Sequence, residues 1–136
     1  MPELGISPEK VCYVIVRARQ FQAKVAPVDI DEASNMTDDG FREILEDFQD
    51  DPVLFEARQF IDGLDVDETA NLVALAWLGR GDYTIEEWDD AVAEARDRQE
   101  RPAADYLMGT PLVADYLEAG LDAFGESCDD FEEGRL

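Results

Sequence analysis

Thirty-four carboxylates and not one imidazole define the chemistry open to this 136-residue chain. Without histidine there is no imidazole base, proton shuttle or metal ligand. That excludes Ser–His and Cys–His nucleophile pairs and the Glu-x-x-His helices of di-iron proteins. A Walker loop and a dinucleotide glycine fingerprint are absent. None of the serines, Ser7, Ser34 and Ser127, sits in the Asp-Ser-Leu setting of an acyl-carrier protein. What remains is carboxylate chemistry. Glu43 with Glu46, and Glu86 with Asp89, have the i,i+3 spacing that puts two carboxylates on one helical face, as in all-helical pyrophosphohydrolases that hold magnesium. At this acid content chance alone supplies about eight such pairs. The order and spacing of paired motifs on successive helices is not matched, so the pairs read as solvated acidic faces. Calcium loops starting at Asp29 or Asp65 lack glycine at the sixth position and glutamate at the twelfth. The sequence assigns no catalytic residue, no metal ligands and no cofactor.

One cationic group stands apart. Arg80 lies between Gly79 and Gly81, beside Trp77 and before Asp82. Glycines let a backbone approach something closely, and a guanidinium fork binds carboxylate or phosphate. Gly109-Thr110-Pro111 is a second tight turn, opening a helix whose N-terminus favours anions. Trp77, Arg80, Asp82 and Thr110 are therefore the candidate ligand or partner residues. The structural alternative is that Arg80 bonds the end of its own helix or Asp82, and that both turns are merely tight.

The elements that position these groups are helical. Ser7-Pro8-Glu9 gives a hydroxyl cap followed by proline, and Val11, Val14, Ile15, Ala18, Phe21 and Val25 continue a helical stripe. Residues 26–36 read as a loop. Thr37 or Asp38 caps a helix with Phe41, Ile44, Leu45 and Phe48 on one face. Asp51-Pro52 starts another, ending near Gly63. Asp65 with Glu68 makes a capping box for the next helix. That helix, Asp67–Leu78, is apolar nearly all round and belongs at the centre. Thr84 with Glu87 is a second box, with Tyr83 set to staple onto Trp88. Pro102 kinks or restarts that helix. Thr110-Pro111 repeats the cap-then-proline start, Gly125 stops the helix that follows, and Ser127 caps a last short turn through Phe131. The expectation is all-α, an irregular bundle of six to seven helices in a single domain spanning residues 1–136.

Charge bounds the partners. The net charge is −23, with eleven bases of which only Lys10 and Lys24 are lysines. Such a surface repels nucleic acid phosphates and anionic lipid. Residues 1–24 are the exception, with four bases against two acids, and the expectation is that this helix docks among acidic ones. Cys12 and Cys128 form no zinc spacing. Cys12 reads as packing in an apolar stripe, and the acids near Cys128 disfavour its thiolate. Met1-Pro2-Glu3 shows no secretory leader, and the longest apolar run is too short for a membrane span, so a cytoplasmic protein with reduced thiols is expected.

Three segments carry a resemblance. The run from Leu72 to Asp82 (LVALAWLGRGD) resembles the signature of a small bacterial family catalogued only as a domain of unknown function. Ser7-Pro8-Glu9-Lys10-Val11-Cys12 and Leu107-Met108-Gly109-Thr110-Pro111-Leu112 resemble its other recurring segments, with Met108 in place of the expected leucine. The resemblance spans about residues 6–131. It implies a bacterial, cytoplasmic-type protein and carries over no activity, cofactor or catalytic residue. On the residues alone, the leading expectation is a non-enzymatic acidic helical module that binds a protein with a basic surface. It predicts no direct nucleic acid binding and leaves the oligomeric state open. The alternatives are a carboxylate-based hydrolase or small-ligand binder, with or without magnesium, and a nucleic acid mimic.

Overall fold

The computed structural model describes residues 2–25, 51–98 and 103–128. The fold is all-α. Among the described residues the helices are α1 (Pro8–Val25), α2 (Pro52–Asp62), α3 (Val66–Arg80), α4 (Trp88–Asp97), α5 (Ala103–Met108) and α6 (Val113–Ala123), with a 3₁₀ turn at Ile85–Glu87 leading into α4. The helix proposed over Phe41–Phe48, the loop at 26–36, the Glu43–Glu46 pair, the Asp29 loop and the end of the last turn at Phe131 lie outside these residues.

Most helix starts follow their caps. Lys10 N–H donates to Ser7 Oγ at 3.3 Å. Asp51 Oδ1 accepts from Val53 N–H at 2.9 Å, with Pro52 at the first helical position. At Asp65 the box is complete: Glu68 N–H donates to Asp65 Oδ1 at 2.7 Å, and Asp65 N–H donates to Glu68 Oε1 at 3.2 Å. Each such cap stabilises its helix by about 1 kcal/mol. The Thr84–Glu87 box is also formed, but its first turn is 3₁₀ and α4 itself begins at Trp88.

The start of α6 departs from expectation. Thr110 does not cap a helix opening at Pro111. Its hydroxyl donates to Tyr106 O at 2.7 Å, and Val113 N–H donates to Thr110 O, closing a four-residue turn. The third residue of that turn, Leu112, has φ +65°, so the turn is of type II geometry and α6 begins only at Val113. Thr-Pro suits the opening of such a turn as well as a helix start, and leucine gives no warning of a left-handed backbone.

Helix α3 is the axis of the bundle. Every residue from Ala70 to Leu78 is buried, because the run is apolar on all sides and has neighbours on all sides. It packs against α4, α5 and α6, while α1 packs against α2 and α6. The aromatic contacts pair Tyr13 with Phe60 at 4.3 Å, Tyr83 with Trp77 at 6.0 Å and Trp88 edge-on with Phe124 at 4.9 Å. The expected staple partner of Tyr83 was Trp88; the stacked partner is Trp77.

The cationic first helix docks among acids, as its charge predicts. Lys10 pairs with Glu68 of α3, Arg17 with Glu56 of α2 at 3.0 Å, and Arg19 with Asp115 and Glu118 of α6 at 3.2 and 3.1 Å. Arg17 also lies over the Tyr13 ring, 5.0 Å from its centroid.

The cysteines correct the sequence reading. Cys12, in α1, and Cys128, beyond α6, were expected as separate thiols. They form a disulfide with Cα atoms 5.7 Å apart across a sequence separation of 116 residues. Both are buried. The bond removes the support that reduced thiols gave to a cytoplasmic location. Among the described residues no helix is long and apolar enough to cross a membrane.

Candidate functional site

The corner around Arg80 is built by the end of α3, the turn after it, α5 and the start of α6. The two glycines that flank Arg80 have different reasons. A Cβ on Gly79 would lie 1.7 Å from the carbonyl oxygen of Tyr116, so α3 and α6 touch backbone to backbone there. Gly120 makes the reciprocal approach toward Leu75 O. Gly81, at φ +98°, is the left-handed cap of α3, its N–H donating to Trp77 O and Leu78 O. What Gly79 admits is a neighbouring helix.

The guanidinium is engaged by the chain's own groups. Arg80 Nε and Nη2 donate to Asp82 Oδ2 at 2.8 and 2.5 Å. Burial lowers the affinity of Arg80 for its proton, but the hydrogen bond and charge of Asp82, with a contribution from Tyr106, outweigh it and raise the pKa. Trp77 Nε1–H donates to Tyr106 Oη at 2.9 Å, which satisfies an indole that is only 6% exposed. Thr110 reaches the same tyrosine through its backbone oxygen. The structure thus brings Trp77, Arg80, Asp82 and Thr110 together around Tyr106, a residue absent from the sequence-based candidates. Its only signal was being the aromatic residue of a segment rich in turn formers. The corner can hold a cation in place, and the anion it holds is Asp82.

Carboxylate chemistry fares as its geometry dictates. Among the described residues no acid is buried; the buried polar side chain is Asn71. Among the described residues no three acids or cysteines are grouped to hold a metal ion. Glu86 and Asp89 are exposed on the outer side of the α4 start. Asp65 and Glu68 serve the capping box, not an ion. Glu3, Glu68 and Glu126 line one open cleft, but among the described residues no acid is buried and none belongs to a group that could hold a metal ion.

The bases behave differently. Lys10, Arg17, Arg19, Arg58, Arg80, Arg96 and Arg98 are the bases whose side chains are described, and each one pairs with an acid of this chain. Glu118 and then Asp115 raise the pKa of Arg19 against the pull of burial. Arg58 Nε sits 2.9 Å from Asp105 Oδ1, and Arg96 Nη2 sits 2.6 Å from Asp67 Oδ1. Glu3, Glu9, Asp62, Glu86, Asp89, Asp90, Asp97, Asp122 and Glu126 are exposed and have no side-chain partner among the described residues. The described cations are consumed internally, and the surplus acid faces solvent.

A family model described as "Protein of unknown function (DUF3775)" matches residues 55–126, more than half of the chain. The matched span contains the 72–82 and 107–112 segments and leaves the 7–12 segment outside. No curated protein and no solved structure matches the chain significantly.

Proposed function

Given that the chain belongs to the DUF3775 family, whose description assigns no activity, we propose a function from the distribution of its charge: an acidic, non-enzymatic helical module that binds a protein with a basic surface. One observation carries the proposal. Every described base is already paired within the fold, while the chain bears a net charge of −23. Among the described residues a partner meets unpaired carboxylates and no unpaired base. Such a field steers a basic partner into encounter and repels phosphate backbones. Placement in the cytoplasm belongs to the same proposal and requires the Cys12–Cys128 bond to persist there, which trapping of free thiols in freshly opened cells would check.

The test is a titration with a synthetic octa-arginine peptide, followed by stopped-flow fluorescence of Trp77 and Trp88. Saturable one-to-one binding at low salt is expected. Its association rate should collapse at about 1 M salt, where the Debye length is about 3 Å. A pull-down at low ionic strength should enrich basic proteins. Absence of saturable peptide binding at low salt overturns the proposal.

A further inference from the structure

Residues 2–8, the first turn of α3 and the residues just beyond α6 line an open cleft of about 550 Å³, within the size range of small-ligand sites. Its walls are fixed from both sides. On the N-terminal side, Gly5 N–H donates to Asn71 Oδ1 at 2.8 Å, and Asn71 Nδ2 donates to Asp67 O at 2.8 Å. Ile6, only 3% exposed, plugs the neighbouring core. On the C-terminal side, Gly125 turns the chain at φ +77°, Glu126 N–H donates to Leu121 O, and Cys128 is bonded to α1 two residues later. Order of this kind spares a ligand the entropy of organising its own site.

The lining has two kinds of chemistry. Leu4, the prolines and Phe124 are apolar, and Phe124 is braced by the edge-on contact with Trp88. Glu3, Glu68 and Glu126 are acidic. Glu68 is pinned by Lys10 and by Asp65 N–H, which hold it ionised. Lys10 is thereby consumed. Glu3 and Glu126 are exposed and have no ion pair or side-chain hydrogen bond among the described residues. The group that complements an apolar wall with a carboxylate rim has a long aliphatic stem and a cationic end. Arginine suits it better than lysine, because its planar guanidinium stacks on an aromatic face while also meeting carboxylates, and it loses less hydration.

We propose that this cleft receives an arginine side chain of the basic protein partner, and the assignment rests on the function proposed above. The cleft locates that binding where general surface charge does not.

Two exposed-site double variants with equal charge change test it. Glu3→Gln with Glu126→Gln removes the rim. Asp89→Asn with Asp90→Asn removes two exposed acids that do not line the cleft. Thermal melts should show both folded. The rim variant should bind octa-arginine about tenfold more weakly than the parent, and the control within about twofold, at equal ionic strength. N-acetyl-arginine methylamide should shift the NMR signals of Leu4, Phe124 and Glu126 in the parent chain. The isosteric, uncharged N-acetyl-citrulline methylamide should not. Equal weakening by the two double variants, or equal response to arginine and citrulline, overturns the cleft assignment while leaving the basic-partner function standing. No octa-arginine binding by the parent chain overturns the function itself and the cleft with it.

Discussion

Two regions of this molecule share the wall that α3 provides, and they solve opposite problems. At its C-terminal end, the Arg80 corner contains every feature a motif search favours: a glycine-flanked arginine, a tryptophan, an aspartate and a nearby tight turn. Each is accounted for inside the fold. Gly79 admits the Tyr116 backbone, Gly81 caps the helix, Asp82 pairs with the guanidinium and Tyr106 Oη accepts from the indole N–H. Near the N-terminal end of α3, the cleft is lined by no ligand-binding motif, only by helix-start residues such as Ser7, Pro8 and Glu68, yet its Glu3 and Glu126 carboxylates lack partners among the described residues. Ligand-type residues brought together in a segment and the availability of those residues to a ligand are separate properties. Close helix packing is enough to demand the first.

The contrast can be broken most forcefully at Gly79. Gly79→Ala drives a methyl into Tyr116 O, and backbone cannot yield as a flexible side chain can. A loss of at least about 3 kcal/mol in urea-unfolding stability is expected, at the upper end of overpacking effects. A tolerated alanine would mean that packing does not explain the glycine. Next comes the bond that anchors the cleft wall. Cys12→Ser with Cys128→Ser should cost about 2–4 kcal/mol by the same measurement, since it frees a loop of more than a hundred residues in the unfolded chain. It should also weaken octa-arginine binding and leave the Arg80 corner unaltered.

Smaller effects sharpen the same contrast. Arg80→Ala should cost under about 1 kcal/mol in melting experiments, because the pair with Asp82 is 38–44% exposed at its side chains. It should leave octa-arginine binding unchanged. A binding defect without a stability change would show that the corner, too, serves a ligand. Tyr106→Phe, which strips the acceptor from the Trp77 indole, should cost about 1 kcal/mol.

The smallest effect is read against pH. Glu68 is held below its ordinary value of 4.5, first by Lys10 and then by Asp65 N–H. A depressed carboxylate contributes stability that is fully present above 4.5 and is lost as pH falls through the folded-state value. Glu68→Gln should therefore lower the urea midpoint at neutral pH and flatten its dependence on pH below 4.5. An unaltered acid limb would show that Glu68 is not held by these bonds.

What was legible in the sequence was local. The all-round apolar run after Asp65 announced the central helix, and Asp51-Pro52 and the Asp65–Glu68 pair announced helix starts, because a cap needs only a few neighbouring residues. The surplus of bases in residues 1–24 announced that α1 would dock among acids. Most illegible features depend on residues far apart in the chain. Nothing near Cys12 points to Cys128, 116 residues away. The partner of Gly79 is a carbonyl of Tyr116, and every residue type has a carbonyl. Thr110-Pro111 misled because two local structures share its chemistry, and the left-handed Leu112 has no residue-type signal. The cleft draws on both ends of the described chain, so no spacing rule could have assembled it.

The bond between Cys12 and Cys128 also decides how the protein answers force. Tension applied to segments outside that pair passes from α1 across one covalent link to the residues beyond α6, and never enters the helices enclosed between them. The intervening chain is a closed ring, mechanically shielded from anything that pulls on its flanks. Under a steady pull the bundle would lengthen only by what lies outside the ring, until a reductant opened it. With the bond reduced, the same pull would load the helices themselves, which share one core and would give way together.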